Sequence, residues 1–329
     1  MKKTTGLLLV ALLVIGLFAF SGGVLAKDDI RVAAVYTTPI EEPWDGAIHK
    51  ALEQLSEEMG FYYEYTEKVG PTDYERALRE YANQGFDVIF GDIFNTEEIA
   101  RRVAADYPEV YFVHGSSLGP QEPNMGVFDD WIHEPAYLCG IIAGSITETD
   151  VLGVVGGYPI PEVNRLINAF KAGAKEVNPD VQVKIAFIGS WYDPSKAKEF
   201  SVSMIEQGAD VLYAERYGVI QAAQEHGIWA FGNIIDQYDL APGTVITGPV
   251  WDMYPLVKEV VTSVMEGNFK AIDYREWTMM QKGGAHLAPW HGMDEKLPAE
   301  VVKMVEELKT QILNGEFVVP VDPSEPVSD

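Results

Sequence analysis

The chain has 329 residues, with 24 Lys and Arg against 50 Asp and Glu and a formal net charge of −26. A surface this acidic repels phosphate backbones and anionic headgroups, which argues against nucleic-acid and membrane-surface partners. Apolar residues make up 47% and charged residues 22%, the composition of a folded chain, and a single cysteine, Cys139, excludes both a disulfide framework and a cysteine-based metal site.

Residues 1–26 open with Lys2 and Lys3, run apolar from Gly6 to Phe20 and close on Ser21-Gly22-Gly23-Val24-Leu25-Ala26. A short positive region, an apolar run too short to span a bilayer comfortably, and small residues at −3 and −1 describe a secretory signal peptide cleaved after Ala26. No cysteine adjoins that point, so no lipid anchor is expected, and the mature chain is expected to be exported to a periplasm.

From residue 30 onward, apolar runs alternate with amphipathic stretches. The run at 30–36 (IRVAAVY) is nearly continuous, as a parallel strand buried on both faces requires. Residues 44–59 then carry Ile48, Leu52 and Leu55 at helical spacing, and Gly60 stops the helix. Further strand–helix couplets are predicted at 62–65 with 74–84, at 87–90 with 96–107, and at 125–128 with 136–146; a strand at 110–114 leads into a loop. A second series begins at 151–155 and continues with a helix at 163–177, a strand at 183–188 and a helix at 196–207. It then runs through a strand at 211–213, a helix at 218–225 and strands at 228–231 and 244–247. Two such series, broken near 147–150, predict an α/β protein of two Rossmann-like lobes with parallel sheets. Ligands of open parallel sheets bind beyond the carboxyl ends of the strands, so two facing lobes define a central cleft. Residues 320–329 are polar and Pro-containing and are predicted to form a loose tail.

The catalytic and cofactor signatures are missing. The segment after the first strand, Thr37 to Trp44, has no glycine, and neither a GxxxxGK[ST] loop nor a GxSxG elbow occurs. None of the six histidines lies in an HExxH arrangement; His286 and His291 read as solvated loop residues, His133-Glu134 as a helix start, and Cys139 as an inert core thiol. The reading is a non-enzyme with no metal, no cofactor and no catalytic residue.

The loops expected at the cleft are rich in rings: Trp44, Phe94, Tyr158, Trp191 with Tyr192, and Trp251. Trp229 lies inside a predicted strand and is assigned to the core. Polar residues accompany the rings: Asn95, His114, Ser116, Glu215, Arg216, Asn233, Asp236, Asp252 and Lys282. Stacking faces together with a few donors and acceptors are what a nucleobase pocket needs.

The segment Val154-Val155-Gly156-Gly157-Tyr158-Pro159-Ile160-Pro161-Glu162-Val163, with Gly189-Ser190-Trp191-Tyr192-Asp193-Pro194 and Gln207-Gly208-Ala209-Asp210-Val211, resembles the second lobe of the basic membrane protein family. Those are purine- and nucleoside-binding proteins of ATP-binding-cassette (ABC) importers, and the Trp-Tyr-Asp-Pro element resembles their adenine-type branch. The resemblance implies a type I periplasmic-binding-protein architecture with three crossovers. It divides the chain into a first lobe of 27–148 plus 253–283 and a second of 149–252 plus 284–319, with crossings at 147–149, 248–252 and 277–284. It also implies capture of a purine base by hinge closure and delivery to a membrane permease by a monomer; an intact nucleoside as ligand, or a sensing role, are the alternatives. Trp44, Phe94 and Trp191 then resemble base-contacting rings, with Asn95, Asp236, Asp252 and Lys282 as the polar set. Gly115-Ser116-Ser117 stands where the nucleoside branch has an Asp, which favours a free base.

Overall fold

The computed structural model describes residues 30–329, so the expected leader at 1–26 lies outside the described residues. The first sheet is built from β1 (Arg31–Val35), β2 (Tyr62–Thr66), β3 (Val88–Asp92), β4 (Tyr111–Gly115) and β5 (Met125–Phe128). All its pairings are parallel, in the order β2-β1-β3-β4-β5, and Val32 lies opposite Val88. Helices α1 (Pro43–Met59), α2 (Pro71–Asn83) and α3 (Glu97–Asp106) make the crossovers. The apolar run of β1 is explained by its central place in the sheet: Val32 and Ala34 face one core cluster, and Ala33 and Val35 the other.

The second unit comprises α4 (His133–Ile146), β6 (Val151–Gly156), α5 (Pro161–Val177), β7 (Gln182–Phe187), α6 (Pro194–Glu206), β8 (Val211–Tyr213), α7 (Val219–His226) and β9 (Trp229–Phe231). Its sheet is again parallel, in the order β7-β6-β8-β9. The strand expected at 244–247 is reduced to one bridge between Ala230 and Val245, and Trp229 is only partly buried against the core. The chain then runs through β10 (Pro249–Trp251), α8 (Tyr254–Met265), β11 (Ala285–Leu287) and α9 (Ala299–Leu313). Helix α8 packs on α1, and Asp273 bridges Val127 beside β5, so this segment completes the first lobe. Helix α9 returns to pack on α4.

Two expectations are corrected. The first crossing falls in the segment 129–132 between β5 and α4, not at 147–149, because α4 belongs to the second lobe. Glycines on both helices allow backbone contact between α4 and α5: a Cβ on Gly140 of α4 would lie 2.0 Å from the Phe170 carbonyl oxygen, and one on Gly173 of α5 would lie 2.1 Å from that of Tyr137. The break at 147–149 is instead a turn within that lobe, where Asp210 accepts from the Thr147 hydroxyl and from the Glu148 and Thr149 amides. The tail is also anchored. Asn164, Asn168 and Lys171 of α5 donate to carbonyls of residues 322–327, and the Asp329 carboxylate meets Lys171 and Lys175.

The segments expected as the later crossings form an antiparallel pair. Pro249 lies opposite Leu287 and Trp251 opposite Ala285, and the Asp252 amide donates to the Gly284 carbonyl at 2.9 Å.

The α4–α5 contact generates a test. Gly140→Val should lower the stability of the folded chain by about 1–3 kcal/mol or more through overpacking. Gly70→Ala, at φ −70° with nothing within 4 Å of the added methyl, should change it by less than about 0.5 kcal/mol. Thermal melts of the two variants check this.

Candidate functional site

Parallel strands place all their following loops at one edge, and here the two edges face each other. The loops after β1, β2, β3 and β4 form one wall of a cleft of about 280 Å³, and those after β6, β7 and β8 form the other. The first wall carries Thr37, Thr38, Glu42, Trp44, Asp45, Asp92, Phe94, Asn95 and Ser116; the second carries Tyr158, Glu162, Trp191 and Arg216.

Each ring is placed by a local cause. Pro43 starts α1, and Glu42 caps it by accepting from the Trp44 and Asp45 amides at 2.9 and 3.4 Å, which fixes Trp44 in the first turn. Trp44 lies against Phe128 (ring centroids 5.8 Å) and Trp251 (4.9 Å). Gly115 is required beneath it, since a Cβ there would come within 1.9 Å of the indole. Phe94 follows β3 on a turn in which Asp92 accepts its amide at 2.9 Å and Asn95 takes φ +63°. Across the cleft, Phe94 meets Trp191 edge-on at 5.2 Å and Tyr158 at 6.2 Å, while Tyr158 and Trp191 are 4.8 Å apart. Rings from both lobes therefore converge on one place.

The second wall is tied together by one buried ion pair. Glu215 accepts from the Gly157 amide at 2.8 Å and from Arg216 Nε at 2.9 Å, and also bonds Arg216 Nη2. Arg216 Nη1 donates to the Trp191 carbonyl at 3.0 Å, and the guanidinium lies 5.2 Å from the Trp191 ring. The same Nη1 comes within 4.0 Å of Glu42 in the first lobe, and the Ser116 hydroxyl reaches Glu162 across the gap at 3.4 Å.

Burial dominates the electrostatics. It pushes Glu42, Asp45 and Glu162 above the usual carboxylate range and raises Asp92 to about 6. Asp45 Oδ2 accepts from the Thr38 amide (2.9 Å) and hydroxyl (2.6 Å), whereas Asp45 Oδ1 and Trp44 Nε1 are buried with no protein partner. Beside the cleft, Asp129, Asp130 and Glu162 bring oxygens within 4.8 Å of one another. Arg165 already occupies this group, at 2.9 Å from Asp129 and 2.7 Å from Asp130.

Of the residues expected at the site, Trp44, Phe94, Asn95, Tyr158 and Trp191 line this cleft, as do Ser116 and Arg216. The others do not. Asp236 is exposed and pairs with His291 at 2.7 Å; Lys282 is exposed beside Trp277; Asp252 caps the turn into α8 by accepting from the Tyr254 amide. Trp251 is fully buried behind Trp44, Asn233 accepts from the Tyr213 hydroxyl, and His114 is buried in β4 with its pKa lowered to about 4. Glu134 does not merely open its helix, since it accepts the Met280 amide from the third crossing. The sequence reading missed Glu42, Asp45, Asp92 and Glu162. Their signal was an acidic residue at the end of a strand (Asp92), or at the cap or in the first turn of the helix that follows one (Glu42, Asp45, Glu162).

The sequence profile of the Bmp family, described as ABC transporter substrate-binding protein PnrA-like, matches residues 31–322. A Haloferax volcanii protein named putative ABC transporter glucose-binding protein TsgA13 is 33% identical over 302 residues, covering 91% of this chain and 76% of that one. Purine-binding protein BAB2_0673 of Brucella abortus is 31% identical over 306 residues, covering 91% and 85%. The crystal structure of an ABC transporter solute-binding protein from Aeropyrum pernix superposes with a TM-score of 0.75 at 22% identity, covering 89% and 94%, a likeness of fold. The two facing lobes thus have the architecture of type I periplasmic solute-binding proteins, and among the described residues no helix is long and apolar enough to cross a membrane. With its cleft between two parallel sheets and a profile match along nearly all of the described chain, this protein belongs to the Bmp family of ABC transporter substrate-binding proteins, a family of binders and not of enzymes.

Proposed function

We propose that this substrate-binding protein captures a purine base, with adenine as the type ligand, between its two lobes and presents it to its permease as an exported monomer, freed of the leader 1–26. The observation that carries the reading is the convergence of Phe94 from one lobe with Tyr158 and Trp191 from the other on a cleft whose remaining walls are rich in carboxylate acceptors. A flat heterocycle presents two faces to such rings and its N–H groups to the acceptors. The name of the Brucella relative points the same way. The name of the Haloferax relative supplies the competing ligand, glucose, whose ring faces also pack on aromatic side chains. The lobes are joined by three crossings, so a ligand that touches both walls favours the closed arrangement and domain closure accompanies capture.

Base stacking on an aromatic side chain is worth about 1–3 kcal/mol, roughly tenfold to a hundredfold in affinity. Phe94→Ala and Trp191→Ala should each weaken adenine binding by that factor in titration calorimetry, while Asp236→Ala, outside the cleft, should leave it unchanged. Heat from glucose with none from adenine would overturn the purine reading.

Acidification should separate stability from affinity. A carboxyl whose pKa is higher in the folded than in the unfolded chain holds its proton more tightly when folded. Stability is then greatest at low pH and is lost as pH rises through the folded value. Asp92 at about 6, together with the raised Glu42, Asp45 and Glu162, therefore predicts a higher melting temperature for the empty protein at pH 5.5 than at pH 7.5. On acidification over the same interval Asp92 gains a proton and loses part of its acceptor capacity, so the increment in melting temperature given by adenine should shrink. Thermal melts at both pH values, with and without adenine, read both effects.

A further inference from the structure

The two lobes repeat one another closely enough for the second to serve as a template for the first. Helices α1 and α5 each have 17 residues, each starts on a proline, and each buries its sixth, ninth, tenth and thirteenth residues. The strand after each helix, β2 or β7, is outermost in its sheet, and the registers match: Tyr62 lies opposite Arg31 as Gln182 lies opposite Val151. The Tyr62 amide donates inward to the Ile30 carbonyl, and the Gln182 amide to that of Asp150. Backbone groups alternate in direction along an edge strand, so Tyr63 and Tyr65 turn theirs outward, at the positions of Val183 and Ile185.

In the second lobe the place beside these outward groups is filled. Asp329 exchanges hydrogen bonds with Val183, and the Ser328 hydroxyl accepts from the Ile185 amide. Lys171 and Lys175, the eleventh and fifteenth residues of α5, pair with the Asp329 carboxylate, and Lys171 also donates to the Val327 carbonyl at 2.8 Å. Two lysines on the helix thus fit an extended acidic segment on the strand edge.

In the first lobe the corresponding place is an open groove of about 420 Å³ between α1 and β2. Among the described residues, no hydrogen bond from outside the sheet reaches the Tyr63 and Tyr65 amides. The eleventh and fifteenth residues of α1 are Glu53 and Glu57, so the charge at these two positions is reversed. Both are exposed, Glu64 of β2 adds a third carboxylate, and no lysine or arginine lines the groove. Tyr63 and Tyr65 line it too, stacked at 6.0 Å, and the Tyr63 hydroxyl is held by Tyr36 at 2.9 Å and His49 at 3.0 Å. Ordered aromatic rings beside carboxylates attract lysine and arginine side chains.

We propose that this groove docks an extended segment of a partner protein that carries lysine or arginine. The segment adds to the sheet through the outward groups of Tyr63 and Tyr65, and its cations meet Glu53, Glu57 and Glu64. Charge selects this occupant over the two nearest at hand. A second copy of the chain, pairing β2 with β2, would bring two sets of these carboxylates together. The acidic segment 322–329 would meet glutamates where lysines hold it in the second lobe. The groove lies apart from the cleft, so the proposal goes beyond ligand capture and does not depend on which ligand is bound.

Two peptides of the length of 322–329, one alternating lysine with valine and one with the sequence of 322–329 itself, test this on the full chain. In fluorescence anisotropy at low salt the basic peptide should bind and the acidic one should not. With the basic peptide bound, amide hydrogen exchange at Tyr63 and Tyr65 should slow tenfold or more, which general attraction to an acidic surface would not produce. Glu53→Lys with Glu57→Lys should weaken the basic peptide tenfold or more. The same charge change on α9, Glu300→Lys with Glu307→Lys at two exposed positions, should weaken it far less. Should the α1 variant fail to fold, exchange at Tyr63 and Tyr65 in the wild-type chain decides the matter. No binding of the basic peptide, equal binding of the acidic one, unchanged exchange at the two amides, or equal losses in the two variants would overturn the proposal. So would a dimer in sedimentation with those amides protected, which would make a second copy the occupant.

Discussion

The buried Glu215–Arg216 pair is the fixture from which the second wall of the cleft hangs. One carboxylate holds the start of the loop after β6 through the Gly157 amide, and the guanidinium it orients holds the loop after β7 through the Trp191 carbonyl. Three separate strand ends are thereby fixed relative to one another by two consecutive residues. Burying an ion pair is expensive, and an apolar pair of similar volume would serve stability as well or better. What an apolar pair could not do is bond a backbone amide and a backbone carbonyl at once while facing Glu42 of the opposite lobe. The ion pair therefore serves the shape of the wall more than the stability of the lobe.

The crossings impose the complementary constraint. The β10–β11 pair joins the lobes through backbone hydrogen bonds that need no particular side chains, and Trp251 on that ribbon backs directly onto Trp44. A change in the angle between the lobes is consequently felt at the first-turn indole of α1. The first crossing is stiffened differently: two guanidiniums lie close to the Trp131 ring, Arg165 at 4.2 Å and Arg275 at 3.5 Å, and Arg165 also meets Asp129 and Asp130.

Much of this was legible in the sequence, and the limits have physical reasons. The parallel strands announced themselves because burial on both faces demands unbroken apolar runs such as 30–36, and the edge rule then pointed to Trp44, Phe94, Tyr158 and Trp191. The same rule did not reach Asp236, Asp252 and Lys282, which occupy irregular connecting segments with no periodicity to fix which way they face. The lobe to which α4 belongs was hidden for another reason. Its composition is apolar on every side, so periodicity names no partner; the clue lay in the four-residue spacing of Gly140 and Gly144, which permits backbone contact with α5. The acidic residues of the cleft were overlooked because carboxylates at helix starts ordinarily serve the helix. Glu42 and Asp45 do that and line the cleft as well.

The anchored segment 322–329 bears on how the protein behaves in a crowded compartment. Strand β7 is the outermost strand of its sheet, and its far side carries a row of backbone groups able to pair with any other extended chain. Ser328 and Asp329 occupy that row: the Ser328 hydroxyl bonds the Ile185 amide and carbonyl, and Asp329 exchanges bonds with Val183. What reads as a polar appendage is thus a seal on an open sheet edge. It denies β7 to a second copy of the chain and so guards against edge-to-edge association.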